Sequence, residues 1–285
     1  YLDATITTMR KFGVLVQTLI PYKKYNITPQ IYKSARFTVP IDFSSLALLL
    51  SAAVLNGEEI TIKGNIGNLP QGDEVFIDIL EQLGVKVIIS DEEIKIETPE
   101  KLRGGKFDLS NSPDLLPPLS ILALNTSNQI EIVNVKHARL KETERISILA
   151  RELVKLGIKV QEKEDGLILE SSENLRGAEL NSENDHRLFM AFCIAGMYIG
   201  DCTVTDPESV KISYNLEFSV IRAQPTASGG GFVFGDDSRY AICSPGYYGD
   251  SGVPVSHRGD LAFNYCKCCT GNVAPNPLTA PDAGV

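Results

Sequence analysis

The sequence predicts an α/β fold assembled from a repeated unit of helix, strands, helix and strand. Three helix ends read alike, MRKFGVLV, LEQLGVKV and LVKLGIKV, and their glycines Gly13, Gly84 and Gly157 lie 71 and 73 residues apart. A new helix opens behind each glycine on an aspartate at nearly constant distance: Asp42, Asp114 and Asp185 follow by 29, 30 and 28 residues. The helices so opened are apolar on all sides, LALLLSAAVL most clearly, which is the composition of a buried helix. A period of this length marks stacked supersecondary units. Helices that follow strands and cover sheet faces then surround a shared helical core.

Each element can be justified in turn. The first helix ends at Gly13, a residue suited to a left-handed cap, and alternating apolar residues of a strand follow. PIDFSSLALLL opens the next helix at Asp42. The second unit repeats the pattern with LEQLG, the short strands VKVIIS and EEIKIET, and the helix start SPDLLPPLSIL at Asp114. The third begins with HARLKETERISILARELVKLG, whose stripe Ile146, Leu149, Leu153 and Leu156 gives a packing face. Lys141 and Arg145 fall at the first turn expected for that helix, where the dipole disfavours cations. NDHRLFMAFCI opens the last helix at Asp185. The aspartates have two readings: plain N-caps, or members of several helix starts converging on one cleft and making an anion site. KETER likewise reads as a solvated turn with an ion pair three residues apart, or as part of such a site.

Composition excludes several functions. With 285 residues, 43% hydrophobic and 22% charged, the chain has the make-up of a soluble globular protein with one large core or two ordinary ones. The longest apolar run, Leu46 to Leu55, is too short for a membrane span and carries Ser51. A net charge of −9 argues against a nucleic-acid binder, which needs a basic face. The chain starts at Tyr1 with no signal peptide, so a fragment or processed product is expected. Cys193 and Cys202 stand among apolar residues as reduced core cysteines, and the main body reads as cytoplasmic.

Residues 219–285 differ in kind. They hold 10 of the 23 glycines and 6 of the 15 prolines, without sustained periodicity, and are expected to be irregular. The leading reading is a fused or readthrough segment. The others are a module stapled by Cys243, Cys266, Cys268 and Cys269, or a metal site using His257 with Cys266, Cys268 and Cys269. The CKCC spacing lacks the CxxC pairs of usual zinc sites, and no metal or cofactor is expected.

Six motifs in order carry a family resemblance. They are YLDATI at Tyr1, VPIDFSS at Val39, SPD at Ser112, RLKETER at Arg139, NDHR at Asn184 and DPESVK at Asp206. Over residues 1 to 218 the chain resembles the 5-enolpyruvylshikimate 3-phosphate synthase family of the shikimate pathway. That resemblance implies an inside-out α/β repeat fold of two lobes. Residues 1–38 would then be a remnant of the first-substrate lobe and 39–218 the near-complete enolpyruvyl transferase lobe, with the N-terminal half of the enzyme absent.

The family's activity is transfer of the enolpyruvyl group of phosphoenolpyruvate to the 5-hydroxyl of shikimate 3-phosphate, releasing phosphate. Carried over residue by residue, the resemblance makes Asp114 the general base beside the reacting hydroxyl and Lys141, near the shikimate ring, its catalytic partner in activating that nucleophile. Glu142 would protonate the methylene carbon, which requires burial because nearby cations favour its ionised form. Arg145, Arg187 and Lys211 would hold phosphoenolpyruvate, a task suited to the guanidinium fork. His186 would line that pocket, and Tyr1 would touch shikimate 3-phosphate. His137 stands where the family often has asparagine, and Asn215 where proline is expected. Two other readings remain open: a non-catalytic anion-binding lobe, and the related transferase acting on UDP-N-acetylglucosamine, which KETER and NDHR disfavour.

Overall fold

Glycine sets the phase of the repeat. Gly13, Gly84 and Gly157 adopt φ of +81°, +96° and +95°, the left-handed region that ends a helix and turns the chain into a strand. At Gly157 there is a second reason, since a Cβ would lie 2.4 Å from the Asn174 carbonyl oxygen. The computed structural model describes residues 1–57, 60–67, 69–90 and 93–212, with the backbone of short strands at 220–221, 230–234, 240–245 and 262–263.

The elements follow the expected order. The first, partial unit holds α1 (Leu2–Lys11), β1 (Gln17–Ile20), β2 (Lys24–Asn26), α2 (Phe43–Asn56) and β3 (Ile60–Lys63). The second holds α3 (Val75–Gln82), β4 (Lys86–Ile89), β5 (Glu93–Glu97), β6 (Gly105–Asp108), α4 (Leu116–Leu122) and β7 (Ile130–Val133). The third holds α5 (Arg145–Lys155), β8 (Lys159–Lys163), β9 (Gly166–Glu170), β10 (Glu179–Leu180), α6 (His186–Ile199) and β11 (Cys202–Thr205).

Sheets are shared between units rather than contained in them. Strands β6 and β7 of the second unit pair in parallel, and β7 then pairs antiparallel with β9 of the hairpin β8–β9 of the third, in the order β6-β7-β9-β8. The order β3-β5-β4 repeats the arrangement one unit earlier. Strands β10 and β11 are again parallel, and the segment Tyr240–Pro245 pairs with the far edge of β11.

Helices α2, α4 and α6 pack against one another inside these sheets. Leu46, Leu50, Leu119, Leu122, Leu188 and Phe192 are each no more than 2% exposed. Truncating one such leucine to alanine costs about 2–5 kcal/mol in a core that cannot collapse around the gap. The stripe Ile146, Leu149, Leu153 and Leu156 is wholly buried, as its spacing predicts. Among the described residues no helix is long and apolar enough to cross a membrane.

Two regions differ from the core. Among the described residues, ten of the fourteen exposed large apolar side chains lie in residues 1–39, including Leu15, Ile31 and Val39. The third unit also corrects an expectation, because α5 begins at Arg145 and Lys141 lies before it in a loop. The Glu144 carboxylate accepts the Ser147 N–H at 2.6 Å, which makes Glu144 the N-cap and leaves Lys141, Glu142 and Thr143 outside the helix.

Candidate active site

The three repeated aspartates meet different fates at the starts of α2, α4 and α6. Asp42 accepts the N–H groups of Ser44 and Ser45 at 3.2 and 3.3 Å, and Asp185 those of Arg187 and Leu188 at 2.9 and 3.3 Å. Both are N-caps that receive donors two and three residues on. Asp114 caps nothing, because a short 3₁₀ turn, Pro113–Leu115, precedes α4 and its carboxylate takes no backbone N–H. The residue three positions on is Pro117, which has no N–H to give.

Freed from capping, Asp114 becomes a hub. Its Oδ2 accepts the Tyr1 hydroxyl at 2.8 Å, and its Oδ1 accepts Arg145 Nη1 at 2.8 Å. Lys141 Nζ stands 3.3 Å from the same oxygen and Arg187 Nε 3.8 Å. Burial pushes this carboxyl up, but the Arg187 charge, the Tyr1 hydrogen bond and the Lys141 and Arg145 charges outweigh it and hold it at about 2. The Tyr1 hydroxyl moves the other way, raised by burial and by its bond to Asp114.

Arg145 explains how a cation tolerates the first position of a helix. Its side chain is fully buried and its guanidinium is divided among three carboxylates: Asp185 at 2.7 and 3.2 Å, Asp114 at 2.8 Å and Glu142 at 2.6 Å. Burial opposes its charge, and the Asp185 hydrogen bond and the surrounding carboxylates more than restore it. Asp185 thus caps α6 and anchors α5 at once, with Thr143 Oγ donating to it at 3.1 Å. The ion pair three residues apart, Glu142 with Arg145, is present within this larger network.

Arg187 lies across the site from that anchor. Its Nη2 donates to Ser44 Oγ at 2.8 Å and its Nη1 to the Ser44 carbonyl at 3.2 Å, linking α6 to α2. His186 beside it is buried, with Nδ1 unpartnered, and burial lowers its pKa so that the neutral ring is favoured. The loop bearing Lys141 and Glu142 is held by Arg139, which donates to the carbonyls of Lys163 and Glu164 at 2.6 and 2.9 Å and pairs with Glu144 and Glu162.

The fold therefore brings Tyr1, Asp114, Lys141, Glu142, Arg145, His186 and Arg187 together. Glu142 has a side chain 44% exposed, so this lobe does not supply the burial a proton donor needs. His137 sits exposed on the 3₁₀ turn Lys136–Leu140. Lys211 is placed by its backbone in the turn Pro207–Ile212, and its side chain lies outside the described residues, as do those of the tail cysteines and His257. Among the described residues no cluster of histidine, cysteine and carboxylates could hold a metal.

Three participants escaped the sequence reading. Ser44 and Thr143 carry no charge and sit beside conspicuous neighbours. Asp73 lies in the 3₁₀ turn Gly72–Glu74 ahead of α3, at a place where the third unit has the apolar Ile146, so the repeat gave no signal for it. It is 4% exposed with Oδ1 unpartnered, and burial together with the Asp114 charge pushes it up to about 6.

Comparison with known proteins agrees with this architecture. The fold is that of the enolpyruvyl transferases: the chain superposes on the EPSP synthase of Acinetobacter baumannii with TM-score 0.62 and 26% identity, covering 73% of this chain and 51% of that one. The enolpyruvyl transferase NikO of Streptomyces tendae, at 19% identity and TM-score 0.57, shares the fold. The family model for EPSP synthase (3-phosphoshikimate 1-carboxyvinyltransferase) matches residues 1–220, and the chain belongs to that family. It is 83% identical over 214 residues to the 3-phosphoshikimate 1-carboxyvinyltransferase of Nitrosopumilus maritimus, and 38% identical over 218 residues to that of Methanococcus vannielii. The matches cover 75% of this chain and 51% of each relative, so the chain spans about half the length of the curated relatives it matches.

Proposed function

We propose that this chain forms one wall of a cytoplasmic active site that transfers the enolpyruvyl group of phosphoenolpyruvate to the 5-hydroxyl of shikimate 3-phosphate, with release of phosphate. The observation that carries the reading is the uncapped carboxylate of Asp114, ringed by Tyr1, Lys141, Arg145 and Arg187. Family membership favours this reaction over transfer to UDP-N-acetylglucosamine.

In this reading the cations receive the two anionic substrates. Lys141 and Arg187 are partly open to solvent, while Arg145 can turn toward a ligand only through Nη2, which is shared between buried Asp185 and the exposed Glu142. A carboxyl at about 2 is a weak base. Anions bound to Lys141 and Arg187 neutralise the charges that lower it, so Asp114 gains basicity as the site fills. The hydroxyl proton passes to Asp114 while its oxygen attacks C2 of phosphoenolpyruvate. Glu142, enclosed by ligand and the facing lobe, delivers a proton to the methylene carbon. Loss of phosphate and of one proton from the new methyl group regenerates the enol ether. Tyr1 and His137 contact the shikimate ring, and His186 and Lys211 line the phosphoenolpyruvate side. Residues 1–38, rich in exposed apolar side chains, belong to the second lobe, which the rest of the family's length completes.

A second reading, a lobe that binds anions without turnover, is favoured by the half-length match. The test combines this chain with the remaining half of the Nitrosopumilus maritimus relative and follows phosphate release from the two substrates. Turnover that falls at least about a thousandfold in Asp114→Asn supports transfer, the scale on which removal of a positioned base acts. Substrate binding without turnover supports the second reading, and failure of a folded sample to bind either substrate overturns both.

A further inference from the structure

We infer that Ser44 is a positioning residue for Arg187, holding its guanidinium in an anion-receiving pose before any ligand arrives; this rests on the reading above. Arg187 springs from the first turn of α6, yet its head is gripped by the first turn of α2, 143 positions away in the chain. The Ser44 hydroxyl sits between two partners. It donates to the Asp42 carboxylate, at 2.9 and 3.0 Å, and its lone pairs accept Arg187 Nη2 at 2.8 Å. Ser44 is only 4% exposed, so the grip is dry and fixed.

The chemistry of the chain Asp42–Ser44–Arg187 is directional. A hydroxyl that donates to a carboxylate becomes a better acceptor, so the charge on Asp42 strengthens the hold on Arg187 without a direct ion pair that would consume its charge. Nε is left free of Ser44, 3.8 Å from Asp114 Oδ1. A long side chain ordered in advance loses less entropy on binding, which is how positioning becomes affinity. The mirror arrangement on the other side supports the assignment, because Asp185 holds Arg145 as Asp42, through Ser44, holds Arg187. The two capping aspartates of the repeat thus each steady one arginine.

The test uses the full chain with phosphoenolpyruvate as probe. Ser44→Ala leaves both backbone caps and the Ser45 hydroxyl on Asp42, so α2 keeps its start and the unfolding midpoint should hold. Affinity for phosphoenolpyruvate should fall about tenfold, the loss expected for one hydrogen bond to a charged group, and Ser44→Thr should restore it. In the ligand-free chain, the Nε–H resonance of Arg187 should lose order in Ser44→Ala. An unchanged or tighter affinity in Ser44→Ala, or an Arg187 resonance as ordered as in the parent, overturns the inference. If the parent chain alone binds no phosphoenolpyruvate, the titration is repeated with the facing half added, and the ligand-free resonance decides the role of Ser44 in either case.

Discussion

Asp42 and Asp185 resemble Asp114 in sequence and repeat phase, and differ from it in what they touch. The first two spend their carboxylates on the backbone donors of α2 and α6, whereas the third faces Tyr1 and three cations. The difference has a local cause in SPDLLPPL. Pro117 removes the donor a cap would use, and Pro113 tightens the entry to a 3₁₀ turn. One unit of a threefold repeat thereby frees its aspartate from capping, because Pro117 has no N–H and the Leu116 N–H is taken by the Pro113 carbonyl.

The largest effect expected to break this comparison comes from neutralising each aspartate in turn. Asp185→Asn still caps α6, but removes the carboxylate that pairs with Arg145 at 0% exposure on both sides, and should cost about 3 kcal/mol. Asp114→Asn keeps a hydrogen-bonding group and leaves Arg145 its bonds to Asp185, and should cost less, about 2 kcal/mol at most. Urea midpoints of the two variants decide it, and equal losses would mean that Asp114 is as structural as its relatives.

A smaller effect separates two carboxylates of the site by pH. Asp73 is raised to about 6 in the folded chain, above its unfolded value, so it favours the folded state most when protonated. Stability should fall as pH rises from about 4 through 6, by about 3 kcal/mol at most, and Asp73→Asn should abolish that slope and be the more stable form at pH 7. Asp114 has the opposite sign, being held at about 2: its contribution is present above about pH 4 and lost as pH falls toward 2. Denaturation midpoints between pH 2 and 8 separate the two.

The smallest effect sharpens the cause. Pro117→Ala returns an N–H three residues after Asp114 and offers the carboxylate a cap worth about 0.5 kcal/mol, offset by the looser unfolded chain. Stability should change by less than about 1 kcal/mol, while phosphoenolpyruvate affinity drops a few-fold as Asp114 is drawn toward the helix. Titration of the variant beside its unfolding curve shows whether the missing donor is what frees the side chain.

Much of this was legible in the sequence because it depends on phase. The glycine and aspartate spacing locates the entries to α2, α4 and α6, and the apolar helices announce their burial. The position of Lys141 was not legible, since KETER continues a helical pattern and only the competition between Glu144 and upstream residues for the Ser147 N–H decides where the helix begins. Nor was the anchoring of Arg145 by Asp185, which depends on a contact between residues 40 positions apart. Ser44 carries no charge to attract notice, and its part depends on where α6 crosses α2.

The sharing of sheets between units has a further consequence. The sequence repeat runs from helix to helix, but the hydrogen-bonded layer β6-β7-β9-β8 runs from the middle of one repeat to the middle of the next. Sequence unit and cooperative unit are out of register by half a period. A cut between repeats, the obvious place to divide such a gene, would split a sheet and leave β7 with a bare edge. A cut inside a repeat, between a hairpin and the strand that follows it, would leave each layer whole. Permuted or divided versions of this lobe should tolerate the second kind of break and fail at the first.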